Sequence, residues 1–107
     1  MNWRITFYNK KVRSQALAFP QGILANLLHS LELLKEFGPA IGMPHVRPVS
    51  SGLYEVRAHG KEGIGRALYC IAPERELVIV FVFVKKSQKT PVKAIRLAQK
   101  RMKEVMK

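Results

Sequence analysis

Phe81–Val105 reads FVFVKKSQKTPVKAIRLAQKRMKEV, and this stretch decides the fold. An apolar strand runs into a lysine cluster, then a Thr-Pro pair, then a basic amphipathic helix. Leu77–Val84 is apolar at every position, without alternation, which marks a central strand covered on both faces. Thr90 is placed to cap the helix, and Pro91 suits its first position, where no N–H is needed. Val92, Ile95, Ala98, Met102 and Val105 recur as one apolar stripe. From Lys85 to Lys107 there are nine Lys or Arg, opposed by Glu104 alone.

Upstream of the central strand, Leu53–His59 and Arg66–Ala72 read as two strands joined by a turn at Gly60–Gly65 (GKEGIG). Pro73–Arg75 turns the chain into Leu77, so the spacing predicts an antiparallel meander. Leu53, Glu55, Arg57 and His59 share one side of their strand, and Tyr54, Val56 and Ala58 the other. Arg66, Leu68 and Cys70 share a side of the next. Arg57 and Arg66 converge only if register and face agree. The alternative is two ordinary solvated sheet residues.

Trp3, Ile5 and Phe7 alternate with polar neighbours as a half-buried strand. A basic stretch, Lys10–Arg13, and a short helix in SQALA (14–18) follow. Ile23, Leu24, Leu27, Leu28, Leu31 and Leu34 then mark a helix with Pro20 at its first turn and Gly38-Pro39 at its end. Gly38–Gly52 reads as a long loop, packed or functional. The expectation is one α+β domain over residues 1–107, in the order β-α-α-β-β-β-α. Its small, mainly antiparallel sheet carries helices on one face and a basic concave surface on the other.

A net charge of +12 on a chain that is 48% hydrophobic describes a folded domain with an anionic partner. Nucleic acid leads, an acidic protein comes second, and an anionic membrane surface third. A lone cysteine, Cys70, permits no internal disulfide and fits a reducing cytoplasm. No signal peptide or membrane-spanning run is visible.

Most motifs for chemistry are absent. GKEGIG joins two strands and opens no helix, so it is no phosphate loop. Ser50-Ser51 lacks a hydrolase elbow. His29, His45 and His59 show no metal-ligand spacing, and the acids are too scattered for a metal-dependent nuclease. No cofactor is implied. RNA cleavage, however, needs neither metal nor protein nucleophile. The 2′-hydroxyl attacks the adjacent phosphate, and the protein aligns the attack and stabilises charge. Arginine forks suit that task.

LYEVR (53–57), RALY (66–69), FVKKSQKTP (83–91) and A.KRM.E (98–104), with the upstream LELLKEFG, resemble the phage-derived HigB-type toxins. These belong to the RelE/ParE superfamily of type II toxin–antitoxin systems. The resemblance implies a RelE-like fold and a ribosome-dependent mRNA endoribonuclease that leaves a 2′,3′-cyclic phosphate and a 5′-hydroxyl. It implies a HigA-like helix-turn-helix antitoxin as partner, and contact with operator DNA through the antitoxin complex. By position it implies that Arg57, Arg66, Lys85 and Lys86 are catalytic. Lys89, Lys93, Tyr54 and His59 then bind substrate, with Tyr54, Glu55 and His59 as local candidates for proton transfer. ParE-like relatives poison gyrase without cutting RNA. A non-nucleolytic toxin or a non-catalytic nucleic-acid-binding module is therefore the alternative.

Overall fold

A computed structural model describes residues 2–41, 46–85 and 90–107. The elements are β1 (Arg4–Phe7), α1 (Lys10–Leu17), α2 (Gln21–Phe37), a 3₁₀ turn (Gly38–Ile41), β2 (Val46–Ser50), β3 (Leu53–Gly60), β4 (Gly63–Ala72), β5 (Glu76–Lys85) and α3 (Val92–Val105). The strands form one sheet in the order β1-β5-β4-β3-β2. β1 runs parallel to β5, and every other pair is antiparallel.

β5 is an interior strand, between β1 and β4, and is doubly covered, as its unbroken apolar run predicts. On one face Leu77, Ile79 and Val82 pack with Val56, Ala58, Ala67 and Tyr69 against Val12, Ala16, Ile23, Leu27 and Leu34 of α1 and α2. On the other, Val78 and Val80 pack with Leu53, Leu68 and Cys70 against Ala94 and Ala98 of α3. The helices therefore lie on both faces, not on one as expected. The sheet's second face presents its own apolar set, and α3 is the element that removes it from water.

A register shift in β5 serves both cores. Leu68 pairs with Phe81 and Tyr69 with Ile79, so Val80 is the extra residue of a bulge. Arg101 of α3 donates to the Val80 carbonyl at 2.6 Å. Its guanidinium lies over the rings of Tyr8 and Phe81, 5.0 and 5.8 Å from their centroids.

Residues 38–52 are not the loop expected of them. Val46–Ser50 is an edge strand, with Val46 opposite Val56, Arg47 opposite Glu55 and Pro48 opposite Tyr54. An edge tolerates Pro48 because one side of the strand needs no ladder donor. Residues 42–45, with His45 among them, lie outside the described residues. The glycine-rich hairpin is also tighter than expected. Gly60 pairs with Gly63, which leaves Lys61 and Glu62 as the turn.

The helix starts differ from the sequence reading in an informative way. Pro20 occupies the N-cap of α2, where it supplies no side-chain hydrogen bond. Glu62 of the distant hairpin supplies one, accepting from the Gly22 N–H at 3.1 Å. At α3 the N-cap is Pro91, again without a side-chain bond, so Thr90 does not cap the helix. Val92 is 63% exposed and leaves the buried stripe, where Ala94 takes its place. α1 begins earlier than expected, capped by Asn9 Oδ1, which accepts from the Val12 N–H at 2.8 Å.

Candidate functional site

Three adjacent strands bring three arginines onto one carboxylate. The β3–β4 register sets Arg57 directly opposite Arg66, and the β2–β3 register sets Arg47 directly opposite Glu55. Glu55 and Arg57, two residues apart on β3, share a face. Arg47 Nε, Arg57 Nε and Arg66 Nη1 each donate to Glu55 Oε1 at 3.0 Å. The other oxygen, Oε2, accepts from the hydroxyl of Thr90, just ahead of α3. Sheet and C-terminal helix thus meet at one buried side chain.

Burial grades the cluster. The side chains of Glu55 and Arg66 are fully buried, Arg57 is 18% exposed and Arg47 is 32% exposed. Arg66 is the inner member, and Arg57 and Arg47 lead to the surface. Burial pushes the Glu55 carboxyl up, but the bonds from Thr90, Arg57 and Arg47 and the charge of Arg66 outweigh it. The net position is below the usual carboxylate value. Glu55 is therefore a fixed anion, unsuited to taking a proton at neutral pH. Burial pulls Arg66 below its ordinary value while Glu55 opposes that. A guanidinium stays charged under these conditions. With three cations on one anion, the cluster keeps two positive charges in excess.

The other predicted residues fall in several places. Tyr54 lies on the opposite face, stacked on Tyr69 with centroids 5.5 Å apart. It belongs to the core under α2 and is not brought to the arginines. Burial raises Tyr69 well above an ordinary phenol, and its hydroxyl has no partner among the described residues. His59 is exposed near the hairpin, on the Arg57 side of β3, and its backbone N–H donates to Asn26 Oδ1 at 2.9 Å. Lys93 is exposed in the first turn of α3. Lys85 closes β5 opposite Ile64. Its side chain, and Lys86 and Lys89 altogether, lie outside the described residues.

Two members of the cluster escaped the sequence reading. Arg47 sat in the supposed loop, and only the β2–β3 pairing sets it opposite Glu55. Thr90 was read as a cap, and nothing in its local sequence signals a bond across 35 positions to Glu55. Among the described residues, no three His, Cys, Asp or Glu side chains group as metal ligands, and no helix is long and apolar enough to cross a membrane.

Residues 15–103 match the family described as phage-derived protein Gp49-like (DUF891). The chain belongs to this family. Every residue of the Arg47–Glu55–Arg57–Arg66–Thr90 cluster falls inside the matched region of this Gp49-like protein. Among solved structures it is similar to the archaeal RelE–RelB complex from Pyrococcus horikoshii OT3. The TM-score is 0.58 at 17% identity, over 83% of this chain and 100% of that one. At that identity the likeness is one of fold, an α+β architecture around a mostly antiparallel sheet. Comparison with curated proteins finds no match.

Proposed function

We propose that this Gp49-like chain is the toxin of a type II toxin–antitoxin pair, of the HigB type, and that it cuts mRNA on the ribosome without a metal. The observation that carries this reading is the convergence of Arg47, Arg57 and Arg66 on buried Glu55. The family membership and the RelE-like fold support it. Two excess positive charges suit a phosphodiester whose negative charge rises as the 2′-hydroxyl attacks. The structure's rigid strands fix the guanidiniums before substrate arrives, so little reorganisation is needed.

In this reading Arg57, partly exposed, meets the scissile phosphate, with Arg47 beside it. Arg66 contributes charge from beneath. Lys85 and Lys86 complete the cationic site, and Lys89 and Lys93 follow the RNA backbone. His59, on the Arg57 side of β3, and the lysines are the groups left to move protons, since Glu55 is pinned as an anion. The products are a 2′,3′-cyclic phosphate and a 5′-hydroxyl. The partner is a helix-turn-helix antitoxin of the HigA kind, whose acidic segments complement the +12 charge. The toxin acts in the cytoplasm.

The test is to add purified protein to a translating extract programmed with one mRNA and to map new 5′ ends. Codon-periodic cuts that vanish with Arg57→Ala support the reading. Cuts in naked RNA keep the nuclease and remove the ribosome. Intact mRNA at toxic concentrations overturns the nuclease in favour of a protein target such as gyrase.

A further inference from the structure

We propose that Thr90 is a positioning residue for the arginine cluster, its hydroxyl tying the start of α3 to Glu55 Oε2. The inference rests on the reading of that cluster as the RNA-cleaving site. Three observations carry it. First, Thr90 stands where a helix cap is expected, yet the cap position is Pro91 and no side-chain cap bond forms. Its hydroxyl is directed to Glu55 instead. Second, the carboxylate is divided between partners: Oε2 takes Thr90, and Oε1 takes all three guanidiniums. A hydroxyl held on one oxygen fixes the rotation of the carboxylate plane, and so fixes where the other oxygen gathers the arginines. Third, Thr90 directly follows Lys89 and closes the segment that carries Lys85 and Lys86 in the chain. Anchoring Thr90 anchors one end of the lysine-bearing connection between β5 and α3 on the arginine cluster.

The hydroxyl works only as a donor here, because Glu55 is an anion and accepts. Thr90→Ser keeps the donor, Thr90→Val keeps the shape without it, and Thr90→Asp keeps a residue type common at helix starts but places a carboxylate that repels Glu55. A residue that merely started the helix would tolerate Asp as well as Thr. A positioning residue would not.

The experiment measures cleavage by the four proteins in the translating extract, and follows the arginine Nε–H signals and the Glu55 carboxyl titration by NMR. The expected result is near-normal kcat for Thr90→Ser. For Thr90→Val and Thr90→Asp it is a loss of roughly ten- to a hundredfold in kcat, with KM changed much less. The Arg47 and Arg57 Nε–H signals move in the same two variants, and Glu55 titrates higher in Thr90→Val. Thr90→Val with parental cleavage and unmoved arginine signals overturns the proposal, as does full activity in Thr90→Asp. If the unmodified protein leaves RNA intact, the nuclease reading fails by itself. The arginine signals still decide whether Thr90 holds the cluster.

Discussion

Arg57 and Arg66 stand directly opposite each other across β3 and β4, and both donate to a single oxygen, Oε1 of Glu55. Like charges facing each other on neighbouring strands repel, so the carboxylate is the condition for the pair. Glu55→Gln removes that charge and breaks the ion pair that Arg66 makes in full burial. Breaking a buried ion pair from one side costs about 3 kcal/mol or more. The variant is expected to unfold at clearly lower urea concentration than the parent. A midpoint unchanged within error would mean that the cluster contributes little to the fold.

Burial separates the roles of the two arginines. Arg57→Ala leaves Glu55 with Arg47, Arg66 and Thr90, and removes a side chain that is already partly solvated. The expected stability loss is about 1 kcal/mol, against a fall in cleavage of about a hundredfold or more. Arg57→Lys restores little, because an ammonium cannot hold Glu55 through Nε while presenting a planar fork to phosphate. Arg66→Ala empties a fully buried site beside Glu55 and removes its most buried partner, and so lowers stability as well as activity. Paired melts and cleavage assays check the division. Arg57→Ala with full cleavage would remove it from the site.

The hairpin turn acts on α2 in a way that pH exposes. Glu62 accepts from the Gly22 N–H, and that bond, with others from the turn and from Ile23, holds its carboxyl below the ordinary value of 4.5 against a small opposing effect of burial. A carboxyl whose pKa falls on folding stabilises the fold above its unfolded pKa. That contribution fades as pH drops through the folded value. Glu62→Gln is therefore expected to melt below the parent at pH 7, with the gap narrowing once pH falls below 4.5. Glu55 titrates in the same direction in both proteins, so the difference between them isolates Glu62. A gap that stayed constant down to acid unfolding would show that the charge of Glu62 is not what caps α2.

Much of this architecture was legible in the chain because short-range patterns carried it. The unbroken run Leu77–Val84 announced a doubly covered strand, and the alternation in Leu53–His59 placed Glu55 and Arg57 on one face. What stayed hidden depends on pairing at long range. β2 was obscured by Pro48, which punctuates a sequence but is harmless on an edge. Placing α3 on the second face required knowing which apolar side chains α1 and α2 leave uncovered. Thr90 followed the local rule for a helix start, and a tertiary bond to Glu55 overrode it. The convergence of Arg57 and Arg66 was visible only as a condition on register, which the β3–β4 pairing meets.

That register depends on the seat that β4 offers to α2, and Gly65 tests it. Gly65 stands between Ala58 and Val84 in the sheet, next to Arg66. A Cβ added there would lie 2.4 Å from Ile23 Cγ2 and 2.9 Å from the Phe19 ring. Both neighbours belong to the packed core, so the methyl group has no open space to take. Gly65→Ala is expected to cost about 1–3 kcal/mol through overpacking. Ile23→Ala removes the atom in conflict at its own cost of about 2–5 kcal/mol. The double variant should then be more stable than the sum of the two losses, with a coupling of about 1 kcal/mol or more in a double-mutant cycle. Strict additivity would place the strain elsewhere. Because Gly65 adjoins Arg66, the same series should show cleavage falling in Gly65→Ala and recovering in part when Ile23 is trimmed.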